Sequence, residues 1–272
     1  MFNYMVLGLN KKIPFDIIGD IAILKFPSNY GWLRKKLIAR KFLKQNKRIV
    51  SVLEKTGKFK GRLRKQETEY LAGVKKKDTI YIENNCRFYF DVDETYFSPR
   101  LSEQRKNIAE EIVKKVTKNK NKIMVMFAGV APFPIVIADK LKKSNKKAEV
   151  ISNELNRKAS EYAEKNVKLN KLEDYIKVIQ GDSRKIAEDL KKKNYKADFI
   201  VMPRPNLDDT FLDACLLISK KGTKIYYYGF GTKDKVLKEV GKIKNKIKNI
   251  KIEKAGDIGP YEFRWLVRFE IR

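Results

Sequence analysis

The sequence predicts an α/β fold: an open, mostly parallel sheet with helices on both faces, preceded by a small α+β domain. Three observations predict it. Beyond Lys122, strand-like and helix-like patterns alternate to the C-terminus, the rhythm of a parallel sheet. The strand candidates there are continuous apolar runs, as in Ile123-Met-Val-Met-Phe127, which suits strands buried on both faces. The chain before Pro99 instead mixes short strand patterns with a basic amphipathic helix.

In order, residues 17–25 alternate about a Gly19-Asp20 turn, a short hairpin or bent strand ended by Pro27. Residues 32–46 have helical apolar spacing with Lys and Arg on the other face, and residues 48–54 return to strand character. Residues 55–65 are basic and glycine-punctuated, either a loop against a phosphate backbone or a solvated turn. Residues 79–82 and 86–91 read as two strands joined at Glu83-Asn84-Asn85. Pro99 fits the first turn of a helix with Ser98 as N-cap, continuing through Ile108, Ile112 and Val116. The Lys- and Asn-rich stretch 114–122 marks a boundary. The expected division is a small domain with its connecting helix, residues 1–112, and a sheet domain, residues 113–272. Strands are expected at 123–127, 148–152, 176–180, 199–202, 224–228, 250–253 and 264–271: five βα repeats, then two closing strands.

The chain carries 62 basic against 33 acidic residues, a formal charge of +29. Such an excess calls for an anionic partner, nucleic acid first. The bland alternative, a Lys-rich thermophilic surface, would raise Glu alongside Lys. No histidine is present, so His-based triads and metal sites are excluded and any proton goes to a carboxylate, lysine, tyrosine or water. Cys86 and Cys215 lie far apart without metal-ligand spacing, so neither a disulfide framework nor a metal site is expected. No apolar run approaches the roughly 20 residues of a membrane span, and no signal pattern opens the chain. An intracellular protein without membrane or metal is expected.

Open α/β sheets bind ligands at the carboxyl ends of their strands, near the reversal in strand order. Phe127-Ala128-Gly129 follows the first strand, Asn153-Glu154 the second and Gly181-Asp182-Ser183 the third. A glycine turn admits a ligand close to the backbone, and the helix behind it offers unpaired N–H groups. A carboxylate after the second strand can accept both ribose hydroxyls, and an acid after the third can accept from an adenine amino group. Each has a plain structural reading: a small turn residue, a neighbour of an N-cap, or, for Asp182, the cap of a helix starting at Arg184. Together they point to an adenosyl ligand. The absence of G-x-G-x-x-G and G-x-x-x-x-G-K-[ST] favours S-adenosylmethionine over NAD or ATP.

The run Phe127-Ala-Gly-Val-Ala-Pro-Phe133, its spacing to Glu154 and to Asn166-Val-Lys-Leu-Asn170, the Gly181-Asp-Ser-Arg184 turn and Tyr96-Phe-Ser-Pro-Arg-Leu101 together resemble the archaeal and eukaryal type of tRNA (guanine37-N1)-methyltransferase. The resemblance covers nearly the whole chain. It implies a class I (Rossmann-like) methyltransferase domain holding S-adenosylmethionine through Phe127, Ala128, Gly129, Glu154, Asp182 and Ser183. It also implies a small domain that helps to clamp the anticodon stem-loop, and methyl transfer to the purine at tRNA position 37 in the cytoplasm, by a chain expected to act as a monomer. Guanine N1 is protonated at neutral pH, so attack on the sulfonium methyl needs a proton acceptor, cations for O6 and an in-line approach. Arg100 and Arg64 are the cationic candidates, and Tyr96, Pro203, Pro205 and Asn206 the expected target-base pocket.

Departures from the family pattern concentrate at two places. Relatives carry Asn-Leu-Pro after the fourth strand, where this chain has Pro203-Arg204-Pro205-Asn206. With the closing 256–265 segment, this resembles an archaeal subgroup of wyosine biosynthesis, implying a second activity on C7 of 4-demethylwyosine. The family's general base, a glutamate four residues after the Arg of Pro-Arg-Leu, is here Gln104. An amide cannot take a proton, so Glu103 through a register change, another carboxylate, or water must do so. The outer tRNA-gripping domain of many relatives is expected to be absent. Aminocarboxypropyl transfer from the same cofactor, or tRNA binding without catalysis, are the alternatives.

Overall fold

The computed structural model describes residues 3–7, 11–57, 66–117, 121–259 and 261–272. The chain divides into two compact units, Met1–Phe97 and Ser98–Arg272.

In the first unit, β1 (Asn3–Leu7), β2 (Lys11–Ile18), β3 (Ile21–Leu24), β4 (Ser51–Lys55) and β5 (Thr68–Gly73) form a sheet in chain order. Neighbours are antiparallel except β3 and β4, which α1 (Trp32–Gln45) connects as a crossover. Ile38, Ala39 and Phe42 of α1 pack on Ala22, Leu24, Val52 and Leu71 of the sheet, the apolar stripe that the helical spacing predicts. A second, two-stranded sheet pairs β6 (Asp78–Glu83) with β7 (Cys86–Asp91) through Asn84 and Asn85, both left-handed, as a tight hairpin turn requires. Glycine is obligatory at position 19: φ is +59°, and a Cβ there would lie 2.2 Å from Thr79 Oγ1 and 2.5 Å from the Ile80 carbonyl. The sequence reading lacked β1 and β5.

The second unit opens on a 3-10 turn (Pro99–Leu101) and α2 (Ser102–Lys115). Ser98 precedes the turn but makes no side-chain cap; instead Leu101 N–H donates to the Ser98 carbonyl at 3.2 Å. Proline at the first position fixes φ for this tighter turn before the α-helix begins. The sheet contains β8 (Asn121–Val125), β9 (Ala148–Glu154), β10 (Ile176–Gln180), β11 (Ala197–Met202), β12 (Ser219–Gly231), β13 (Ile247–Gly259) and β14 (Glu262–Ile271), in the order β10-β9-β8-β11-β12-β14-β13. All neighbouring pairs are parallel except those made by β14. Between them run α3 (Pro132–Lys143), α4 (Arg157–Leu169), α5 (Ser183–Lys192), α6 (Leu212–Leu217) and α7 (Lys233–Gly241). The predicted five βα repeats and two closing strands are present, with order reversing at β8 and β11. Tyr226, Tyr227 and Tyr228 are all buried, as on a sheet covered on both faces.

The division at 97 and 98 places α2 with the second unit, whereas the sequence reading put residues up to 112 with the first. The reason lies in its contacts. Arg105 lies 5.9 Å from the Phe133 ring centroid, Glu110 pairs with Lys140 at 2.9 Å, and the Val113 carbonyl accepts from Lys146 at 2.6 Å. Arg268 of β14 holds Glu111 at 3.0 Å. Contacts advancing together along both helices show that α2 lies parallel to α3. Among the described residues, no helix is long and apolar enough to cross a membrane, and no cluster of three or more metal-ligating side chains occurs.

Candidate functional site

The carboxyl ends of β8, β9 and β10 are sewn together by short bonds. Ala128 N–H donates to the Asn153 carbonyl at 2.8 Å, Gly129 N–H to Glu154 Oε2 at 2.8 Å, and Gly181 N–H to the Glu154 carbonyl at 2.8 Å. The turn after β8 is sharply coiled: Phe127, Gly129 and Ala131 have φ of 58°, 58° and 67°. Two non-glycine residues in the left-handed region cost energy and recur where a backbone is shaped for function. Behind the turn, buried Asn166 donates its Nδ2 to the Val130 carbonyl at 3.1 Å.

Glu154 sits in the middle. Its Oε1 accepts from Asn156 N–H at 2.8 Å, completing a two-sided backbone cradle with Gly129. Loss of hydration pushes this carboxyl up from its ordinary value; the N–H groups of Asn156, Gly129 and Leu155 oppose but do not cancel that push. A carboxylate has about four acceptor positions, so three backbone N–H groups leave one for a ligand hydroxyl. The cradle therefore fits a ribose.

Asn153, fully buried, is the brace under these loops. It donates to the carbonyls of Ile179 at 3.1 Å and Gly181 at 3.0 Å and accepts from Ser183 Oγ at 2.6 Å. Ser183, expected at the cofactor, thus has its hydroxyl turned inward, and its position is that of a support. Asp182 accepts from Arg184 N–H at 2.9 Å and caps α5, the plain role that its spacing allowed. Sequence reasoning noted Asn153 only as the neighbour of Glu154; nothing local marks an asparagine as a three-way brace.

Because α2 lies parallel to α3, its first turn stands at the same sheet edge as the turn after β8. That brings Arg100, Glu103 and Gln104 to the carboxyl ends of the strands. Arg100 is exposed. Glu103 is also exposed, 3.9 Å from Lys106, and α2 is regular from Ser102, so no register change turns Glu103 inward. Gln104 is half-buried, and its Oε1 is buried without a partner among the described residues. Buried Arg105 donates to the Ser98 carbonyl at 2.9 Å. Tyr96 belongs to the first unit and is half-buried; Arg64 lies outside the described residues.

After β11 the chain forms a loop with Pro203 and Pro205 half-buried and Asn206 exposed. Arg204, between the two prolines, is buried. The far end of the loop meets the turn after β8: Phe211 packs edge-on against Phe127, ring centroids 4.9 Å apart, and Arg184 binds Asp209 at 2.7 and 2.9 Å.

This arrangement matches known proteins. A model of the TRM5/TYW2 methyltransferase domain matches residues 79–255. The chain belongs to the TRM5/TYW2 methyltransferase family. A TYW2 N-terminal domain model matches residues 9–77 ahead of it. Within the TRM5/TYW2 family, Trm5b of Pyrococcus abyssi, a tRNA (guanine(37)-N(1))-methyltransferase, is 36% identical over 218 residues, 80% of this chain and 60% of the relative. Taw22 of Nanoarchaeum equitans, named tRNA (guanine(37)-N(1))/4-demethylwyosine(37)-methyltransferase, is 31% identical over a 303-residue alignment covering 92% of this chain and 97% of the relative. The crystal structure of P. abyssi Trm5b superposes with a TM-score of 0.79 at 31% identity, covering 94% of this chain and 74% of that one. The chain spans only about three fifths of the two Trm5b relatives, 60% of the P. abyssi protein and 62% of the Methanocaldococcus jannaschii one.

Proposed function

We propose that this protein transfers a methyl group from S-adenosylmethionine to N1 of guanosine 37 in tRNA, and that the same site also methylates C7 of 4-demethylwyosine 37. The observation that carries the reading is the Glu154 cradle at the strand ends with the Arg100 and Gln104 turn fixed at the same edge by α2. S-adenosylmethionine, when bound, supplies an electrophilic methyl group. The remaining work falls to the chain. The 127–131 turn lets a ligand lie close to the backbone at Gly129, Glu154 accepts from a ribose hydroxyl, and Asp182, the cap of α5, is the acceptor for an adenine amino group. Arg100 would stabilise the charge that grows on O6 as N1 takes the methyl group, with the N1 proton passing to water.

RNA as the partner is supported by the charge of +29 and by α1. That helix carries Arg34, Lys35, Lys36, Arg40, Lys41 and Lys44 without one acidic residue, and exposes Trp32. Cations at helical i,i+4 spacing repel, a cost that a phosphate backbone relieves. The second activity is favoured by the Taw22 match, which spans nearly the whole of both chains. Supporting relatives include aTrm5, solved as a complex with tRNALeu, at TM-score 0.79 and 29% identity.

The test is to incubate the protein with S-adenosylmethionine and tRNA bearing either G37 or 4-demethylwyosine 37, digest, and weigh the nucleosides. One added methyl on each substrate is expected. An unchanged mass on both sinks the enzyme reading, and an aminocarboxypropyl increment assigns the other reaction.

The proton acceptor yields a sharper expectation. The Gln104 amide, whatever atom it turns toward the base, cannot remove the N1 proton. Gln104→Glu is therefore expected to raise kcat for guanine methylation roughly tenfold or more, as an installed general base does, and to flatten its rise with pH. A variant no faster than the parent places proton removal elsewhere.

A further inference from the structure

Resting on the proposed methyl transfer and on Pro203, Pro205 and Asn206 as the wall of the target-base pocket, we propose that Arg204 is a positioning residue: its guanidinium is the template around which residues 203–209 fold, fixing that wall. Its side chain is 1% exposed. One nitrogen, Nη1, donates to the carbonyls of Leu207 at 2.7 Å, Asp209 at 3.2 Å and Pro205 at 3.4 Å. Nη2 donates to Glu239 Oε2 of α7 at 3.1 Å, and the Tyr227 hydroxyl of β12 donates to the same oxygen at 2.6 Å. The guanidinium lies 5.1 Å from the Tyr227 ring centroid and 5.6 Å from that of Phe230.

A loop with two prolines loses two backbone donors and cannot join a strand ladder, so its carbonyls must find donors elsewhere. Arg204 supplies them from inside. From outside, Arg184 holds Asp209, whose Oδ1 also accepts from Phe211 N–H at 3.0 Å. The loop is thus gripped at both ends and closes against the donor turn through Phe211 and Phe127. A buried ion pair adds little net stability over apolar residues of similar volume. Loop shape, rather than stability, explains an arginine here. Lysine would keep the charge but not the planar fork that reaches several acceptors at once.

The test replaces the whole buried network by apolar side chains, Arg204→Met, Glu239→Leu and Tyr227→Phe together, and compares it with Arg204→Lys alone. The triple variant is expected to unfold cooperatively and to bind S-adenosylmethionine within about twofold of wild type, while kcat for methyl transfer falls roughly 10²-fold, the cost of misplacing a reacting group by about an ångström. Amide exchange across 203–211 should accelerate. Should the triple variant fail to fold, Arg204→Lys carries the same readouts with a smaller loss. Wild-type kcat or unchanged exchange in a folded variant overturns the proposal. If the wild-type protein itself modifies no tRNA, the functional reading fails and the exchange measurement alone decides the role of Arg204.

Discussion

Glu154→Gln is expected to weaken S-adenosylmethionine binding roughly 30-fold, because a hydrogen bond to a charged acceptor contributes about 1.5–3 kcal/mol and the amide, with one acceptor oxygen, cannot keep both it and the backbone cradle. The same variant carries a second signature in the cofactor-free protein. Burial raises the Glu154 carboxyl above its ordinary value, so the folded chain holds that proton more tightly than the unfolded chain does. The resulting stability is fully present below the ordinary carboxylate range and is lost as pH rises through the raised folded value. Wild type minus variant, measured as unfolding free energy against pH, should therefore decline from acid toward neutral pH. Calorimetric titration of the cofactor and denaturant melts at several pH values check both arms. Unchanged affinity would remove Glu154 from the cofactor site; a flat difference would mean that its carboxylate is well hydrated.

Asn153→Ala is expected to be the most destabilising single change at the site, by about 3–5 kcal/mol, since it leaves the carbonyls of Ile179 and Gly181 and the Ser183 hydroxyl buried without their partner. Asn153→Asp should recover only a fraction, because a carboxylate accepts from Ser183 but donates to neither carbonyl. Urea unfolding curves give the comparison. A loss below about 1 kcal/mol for the alanine variant would mean that the three strand ends are held by their ladders alone.

The sheet was legible because its information is local: apolar runs such as Ile123 to Val125, separated by amphipathic helices, admit few topologies. Gly129, Glu154 and Asp182 were singled out because ligands of such sheets sit at strand ends, and the structure places all three there. Other features depend on contacts across the chain. The side of the 97/98 division on which α2 falls is decided by Lys140, Lys146 and Arg268, far away in sequence. The left-handed Phe127 and Ala131 carry no glycine to announce them. Arg204 read as an odd residue in a proline-rich loop until Glu239 and Tyr227, which complete its surroundings, were in place. Gln104 was noticed only as an amide in place of an acid; its buried carbonyl, without a partner among the described residues, is visible only in three dimensions.

The parallel pairing of α2 with α3 has a consequence for engineering. The segment bearing Arg100 and Gln104 and the turn after β8 are parts of one solid body, locked by Glu110, Glu111 and their partners. A chimaera that joins a foreign module at Ser98 would inherit that body and its sheet whole and give up only what Arg64 and Tyr96 contribute from the first unit, making residue 98 the natural splice point.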